Sequence, residues 1–471
     1  MLREANWVDG AWIGAGGATL EVRNPATGDL LATVPDAGGD GAARAIAAAE
    51  RALPAWRALP AAERARLLRR MHDLALEQQG ELARLLTAEQ GKPLAEARAE
   101  IGYAASYLDW YAGEAVRVRG ETIPALRADQ RIVVVRQPVG VCAAITPWNF
   151  PSAMLARKLA PALAAGCTLV AKPAELTPLS GLAWGVLAEQ AGLPAGVLNV
   201  ITGAPEPIGR AFMESTAVRK VSFTGSTEVG KLLIGQAAAT VKRLSLELGG
   251  NAPFLVFADA DLEAAARGLM ASKYRASGQT CVCANRILVE RPVAAAFTER
   301  VVAASRTLVV GDGSRDGVDL GPLIDDQALA KVRRLVGDAV DRGAQLALGA
   351  LPDRRMCPPI VLTGVTADMA VAREEVFGPV VALQTFDGEA EAVALANDTR
   401  AGLAAYVYTG SGARAVRVAE ALDYGMVGVN EGIISNAAAP FGGIKESGWG
   451  REGGHQGIDE YLDTKYVCTT L

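Results

Sequence analysis

VCAAIT (141–146), TLVAK (168–172), VLNVIT (197–202), KVSFTG (220–225) and RLSLEL (243–248) are five short β-rich runs separated by segments of helical length. Strand and helix alternating in this way build parallel βαβ units, so the block 141–248 predicts an α/β fold around a parallel sheet. The first intervening helix is expected near residues 153–165. After Asn251 the alternation restarts with PFLVF (253–257), a helix near 262–276, RILVE (286–290) and a helix over 294–308. PPIVL (358–362), VVALQTF (380–386), LAAYVY (403–408) and MVGVN (426–430) follow as strands, which predicts a second α/β domain. Upstream, 42–52 and 61–89 carry apolar residues at helical spacing and are expected to cover one face of the first sheet. IPALRADQRIVVVRQP (123–138) reads as two extended runs around a polar turn, and YLDTKYVCTTL (461–471) as a further strand.

The size of the chain agrees with this division, because 471 residues exceed what one hydrophobic core organises. A hydrophobic fraction of 50%, a charged fraction of 21% and 51 glycines fit a globular α/β enzyme rather than a disordered or fibrous chain. A net charge of −5 supplies no broad basic field, so neither nucleic acid nor an acidic membrane surface is expected as a partner. No apolar run is long enough to cross a bilayer, and MLREANWVDGAWIG lacks the basic end and apolar stretch of a secretory signal. Six cysteines in such a chain fit reduced thiols and a cytoplasmic location better than a disulfide framework.

Two of those thiols, Cys281 and Cys283, stand in GQTCVCANR (278–286), a Gly-containing approach that suits an exposed loop. Cysteine is a ready nucleophile because part of it is already thiolate near neutrality. By themselves two cysteines are as compatible with inert buried thiols. A metal site would want further Cys or His ligands, and only His72 and His455 exist, so no metal is expected. A base is offered by Glu247 in LSLELGGNAP (244–253), flanked by Leu246 and Leu248. Apolar neighbours raise a carboxylate's pKa toward the working pH, although a solvated strand-end glutamate is the plainer alternative.

FTGSTEVG (223–230) places Gly225 and Gly230 around the start of a helix with Ser226 as its N-cap, where unpaired N–H groups favour an anion. Neither the G-x-G-x-x-G nor the Walker pattern is present, so an ordinary capped helix stays open. In ITPWNFP (145–151) the Asn149 amide follows a strand and precedes a helix carrying Pro151, a position from which it could donate to an oxyanion. EEVFGPV (374–380) adds Glu374 and Glu375 before a Gly-Pro turn.

Taken in order, TPWNFP, VAKPAELTP, FTGSTEVG, LELGGNAP, GQTCVCANR, EEVFGPV and PFGGIKESGWGRE resemble the aldehyde dehydrogenase superfamily over essentially the whole chain. SGQTCVCANR, ISNAAAPFGGIKESG and GIDEYLDTKYVC are most similar to its succinate-semialdehyde branch. The resemblance implies a Rossmann-type cofactor domain (1–120 and 140–248), an α/β catalytic domain (249–440), and an arm and tail (121–139 and 441–471) forming a small oligomerisation sheet of a homodimer or homotetramer. It assigns Cys281 as nucleophile, Asn149 with the Cys281 N–H as oxyanion donors, and Glu247 as the base that activates water against the thioester. Ser226 and its helix would meet the pyrophosphate of NAD or NADP, Lys172 and Glu175 the adenosine ribose, and Glu375 the nicotinamide ribose. Trp148 and Phe377 would line that pocket. NAD is the expected preference, because the Glu175 carboxylate accepts from a 2′-hydroxyl and repels a 2′-phosphate.

Arg157 in MLARK, Arg275 in KYRASGQTC and Ser435 in GIISN match the branch's carboxylate-binding residues, which implies an aldehyde with a distal carboxylate. Guanidinium forks suit a carboxylate, and a hydroxyl adds a donor. Residues 437–439 match the branch less well than their flanks, and glutarate semialdehyde, one methylene longer than succinate semialdehyde, is the runner-up. A thiol-dependent ester hydrolase using Cys281 and Glu247, and a non-catalytic scaffold, are the readings of other classes. Cys283 is expected as a possible disulfide partner of Cys281 under oxidant.

Overall fold

A computed structural model of the chain describes residues 1–14 and 16–471. Its first sheet has eight strands in the order Gly448–Trp449, Arg243–Glu247, Val218–Thr224, Val141–Ile145, Thr168–Lys172, Leu198–Val200, Asn6–Val8 and Ala11–Ile13. The five central strands are parallel and coincide with the five runs quoted above. From Val141–Ile145 the chain winds outward through Thr168–Lys172 and Leu198–Val200, then returns to the other side at Val218–Thr224. The order therefore reverses between Val141–Ile145 and Val218–Thr224. In a parallel sheet such a switch point opens a crevice at the carboxyl ends of the two strands, and Trp148 and Ser226 follow directly from those ends.

The second sheet runs Gln345–Leu348, Ile360–Thr363, Val380–Phe386, Ala284–Glu290, Ala252–Val256, Ala404–Tyr408 and Met426–Val429, parallel except for its first pair. Cys281 and Glu375 precede two of its strands, whereas Ser226 and Glu247 sit at the ends of strands in the first sheet. The site thus forms where the carboxyl edge of one sheet meets the amino edge of the other.

Helix Pro151–Ala165 is buried at every position. Its N-terminal Pro supplies the φ of a first turn, and Gly166 closes it in the left-handed conformation at φ 94°. The region 61–89 divides at Gln78 into Ala61–Glu77 and Gln79–Gln90. A further helix, Leu94–Ala115, packs against Pro151–Ala165 and was not anticipated from the sequence. Its buried residues Ala97, Glu100, Ala104, Tyr107 and Tyr111 recur at three- and four-residue spacing and form one stripe. That stripe also carries Glu100 and Glu114, while Ala95, Ala99 and Trp110 lie outside it, so burial and hydrophobicity do not coincide.

Glu121–Ile123, Gln130–Pro138 and Leu462–Thr470 form a separate antiparallel three-stranded sheet. The expected tail 441–471 needs a correction in its first part. Gly448–Trp449 pairs with Arg243–Glu247 as an edge strand of the first sheet, and only Leu462–Thr470 joins the arm. No helix among the described residues is long and apolar enough to cross a membrane.

Candidate active site

One cavity of about 480 Å³ is lined by Trp148, Asn149, Ser226, Glu247, Cys281 and Phe377, with Gly225 and Glu375 also on its wall. Residues far apart in sequence meet here because each stands at a strand or helix end on the facing edges of the two sheets. Glycine is required where these ends approach. A Cβ on Gly250 would lie 2.3 Å from the carbonyl oxygen of Cys281, and one on Gly230 would lie 2.6 Å from the Leu248 side chain. The loop that carries Cys281 is held by three successive left-handed residues, Ala276, Ser277 and Gly278. That strain persists because the Ala276 N–H donates to Glu96 (2.8 Å) and the Ser277 hydroxyl to the Gly321 carbonyl (2.9 Å).

Asn149 is buried, and its Nδ2 donates one hydrogen to the Gln279 carbonyl at 2.9 Å. An amide nitrogen has two hydrogens, so the second remains for a ligand oxygen at the cavity. Cys281 is partly exposed, and burial of its sulfur, reinforced by the carboxylates of Glu375 and Glu247, pushes the thiol up to about 12 against the pull of Arg157. The resting sulfur is therefore a thiol that needs a proton acceptor. Glu247 is 3% exposed and neither carboxylate oxygen has a hydrogen-bond partner. Burial first, then the neighbouring Glu452 carboxylate, raise it well above the usual carboxylate range, while Arg157, Lys158 and Arg451 draw it down.

Behind Glu247 lies a cluster for which the sequence had assigned no role to Glu452 or Lys158. Lys158 Nζ donates to Thr224 (2.6 Å) and to Glu452. Burial would raise Glu452, but Lys158 and Arg157 outweigh it and keep the carboxyl below its ordinary value. Arg157, 1% exposed, holds Nε 2.7 Å from Glu452, close enough for an ion pair but poorly directed for a hydrogen bond. Its guanidinium stacks on Phe441 (3.9 Å), and Nη2 has no partner. The signal for Glu452 lies in PFGGIKESGWGRE, whose last residue it is, and Lys158 adjoins Arg157.

The expected carboxylate-binding set is divided. Arg275 and Ser435 meet at 3.4 Å on a second cavity of about 530 Å³, where Arg275 also stacks on Phe150 at 4.6 Å. Arg157 lines neither cavity and instead belongs to the Glu452 cluster. Cys283 is buried, its thiol donating to the carbonyls of Lys273 (3.6 Å) and Ala284 (3.5 Å), and it does not line the cavity reached by Cys281.

At the opposite wall, Ser226 caps helix Thr227–Ala237 by accepting from the Val229 N–H at 3.3 Å. Trp148 and Phe377 pack edge to face at 5.5 Å. Glu375 accepts from the Gly250 N–H with one oxygen (3.0 Å), and burial raises its carboxyl to about 7. Lys172 and Glu175 pair with each other at 2.8 Å, outside the cavity wall. A capped helix end, an aromatic wall and a carboxylate with one oxygen uncommitted suit an extended, anionic ribose-bearing group.

The aldehyde dehydrogenase family pattern matches residues 12–467. The chain belongs to the aldehyde dehydrogenase family. It is 54% identical to glutarate-semialdehyde dehydrogenase of Pseudomonas putida, over 100% of this chain and 98% of the relative. To the NADP(+) succinate-semialdehyde dehydrogenase of Escherichia coli it is 53% identical, over 100% and 98%. The crystal structure of an aldehyde dehydrogenase from Brucella melitensis biovar abortus superposes with a TM-score of 0.98 at 56% identity, covering 100% of this chain and 98% of the other. Family membership makes the chain an oxidoreductase fold and removes support for the ester hydrolase.

Proposed function

We propose that this dehydrogenase oxidises a short aldehyde with a distal carboxylate, succinate semialdehyde first, to the acid, with NAD preferred over NADP. The observation that carries this is the meeting of Cys281, Glu247 and Asn149 on the cavity that also receives the helix end at Ser226. The Cys281 sulfur attacks the carbonyl carbon as its proton passes to Glu247, whose raised pKa makes its ionised form a strong acceptor. The free Asn149 hydrogen and the Cys281 N–H stabilise the oxyanion. A nicotinamide dinucleotide held by Ser226 and Glu375 would supply the hydride acceptor, and loss of hydride from the carbon bound to Cys281 would leave a thioester there. Glu247 releases that proton to solvent and then takes one from water. The hydroxide adds to the thioester, the acid forms, and the departing sulfur recovers its proton from Glu247, so the cycle returns one net proton to solvent. Arg157 and Lys158 favour the ionised Glu247 that burial disfavours.

Glu175 supports NAD, because its carboxylate stands next to Lys172 and already occupies that ammonium, leaving less positive charge for a 2′-phosphate. The relatives' names support both chain lengths, and glutarate semialdehyde is the second reading. Strand Leu462–Thr470 is exposed beyond its first residue, and Val133, Tyr466 and Val467 are exposed on the same sheet, which fits pairing with a second copy in a homodimer or homotetramer. A panel of succinate semialdehyde, glutarate semialdehyde and butanal, each with NAD and NADP and followed by reduced-cofactor absorbance, tests substrate and cofactor together. Highest kcat/KM with butanal, or with NADP, overturns the corresponding half.

A further inference from the structure

The second cavity contains three carboxyl or phenol groups from helix Leu94–Ala115, namely Glu96, Glu100 and Tyr103, opposite Arg275 and Ser435. Each acid on the wall already accepts at least one backbone N–H, Asp319 from Val309 (2.9 Å). Glu100 accepts from the Ser152 and Ala153 N–H groups (3.0 and 3.1 Å) and from Lys92 (2.5 Å), and Glu96 accepts from the Ala276 N–H. Donors on the same wall include Arg275, Ser435 and Tyr103, of which Tyr103 has no assigned part.

The Tyr103 hydroxyl lies 2.6 Å from that of Tyr107, and neither phenol has another hydrogen-bond partner. Tyr107 is wholly buried, stacked near the Arg157 guanidinium at 5.9 Å. If Tyr103 donated to Tyr107, the Tyr107 hydrogen would be buried without an acceptor, the costlier arrangement. Tyr107 therefore donates to Tyr103, and the Tyr103 hydrogen turns to the cavity. Accepting one hydrogen bond also strengthens a hydroxyl as donor.

Building on the carboxylated-aldehyde reading above, we infer that Tyr103 is a specificity-determining residue whose hydroxyl donates to the substrate's distal carboxylate together with Arg275 and Ser435. Tyr107 is the positioning residue that orients it. The test is kcat/KM for succinate semialdehyde and for butanal in the parent, Tyr103→Phe and Tyr107→Phe, with thermal unfolding as a check on the fold. Tyr103→Phe should lose roughly ten- to a hundredfold with succinate semialdehyde, the range of one hydrogen bond to a charged group, carried by KM, with butanal unchanged. Inhibition by the product succinate should weaken in parallel, which needs no turnover. Tyr107→Phe keeps the donor and should lose severalfold in the same direction. If the parent prefers the semialdehyde and Tyr103→Phe changes both aldehydes equally or neither, the assignment of Tyr103 is overturned while the substrate stands. If the parent shows no preference for the semialdehyde, the substrate itself is wrong and the role of Tyr103 falls with it.

Discussion

Two clusters of buried charge touch helix Pro151–Ala165, and they are built on opposite terms. In the first, Glu100 caps the helix start with one oxygen and pairs with Lys92 through the other, while Lys92 also donates to the Asn149 carbonyl (2.7 Å) and sits over the Phe150 ring. Both side chains are fully buried, and neither leaves its ammonium nitrogen or a carboxylate oxygen without a hydrogen-bond partner. In the second, Glu247 has no partner for either oxygen and Arg157 Nη2 has none, although burial is just as complete. Burial of charge is therefore no mark of chemistry by itself. The mark is a buried charge whose bonding capacity is left open beside a cavity, because only such a group can take up and release a proton as a ligand arrives.

The largest effect that separates the two clusters is on turnover. Cys281→Ala should abolish aldehyde oxidation with cofactor binding retained, and Glu247→Gln should slow steady-state turnover by roughly 10²–10⁴-fold with a burst of reduced cofactor. Neither should lower the urea midpoint, since neither breaks a satisfied contact. Lys92→Met does the reverse, leaving Glu100 buried and unpaired at about 3–5 kcal/mol of stability. Equal destabilisation by Glu247→Gln and Lys92→Met would erase the distinction.

A smaller effect sharpens the contrast on the substrate side. Arg275 is half-buried, so Arg275→Ala should lose about ten- to a hundredfold in kcat/KM with succinate semialdehyde and little with butanal. An equal fall with both would make Arg275 a support of the nucleophile loop. The smallest effect concerns Glu375, whose carboxyl ionises near pH 7. A carboxylate accepts from ribose hydroxyls more strongly than the acid does, so its contribution grows as pH rises through 7. The Kd of the cofactor, measured by fluorescence quenching, should tighten about two- to fivefold from pH 6 to pH 8. Glu375→Gln should flatten that step, and a parent Kd that weakens with pH would remove Glu375 from the ribose.

Most strands were legible because buried parallel strands are short apolar runs bounded by turn residues, as in TLVAK and PFLVF. Helix Leu94–Ala115 was not, because its buried stripe holds Glu100 and Glu114 while Ala95, Ala99 and Trp110 lie off it, which blurs the apolar periodicity that reveals amphipathic helices. Cys281, Glu247 and Asn149 could be singled out by chemistry, but their meeting depends on which sheet edges face each other, and only the order of motifs hinted at it. Arg157 shows the limit of matching a residue type. Its charge was anticipated, while its partnership with Glu452 arises from a tail that returns to the first sheet.

That returning tail has a consequence for how the molecule is made. A ribosome delivers the chain from its amino end, and the strand bearing Glu247 has an open edge until Gly448–Trp449 emerges. Glu452 arrives three residues later, so the countercharge of Lys158 leaves the exit tunnel long after Lys158 itself. A nascent chain, or one cut short by a premature stop, holds Cys281 and Glu247 long before it holds the Glu452 that completes the charge cluster behind them. It also displays an unpaired strand to its neighbours, which makes truncated products candidates for aggregation rather than for partial activity.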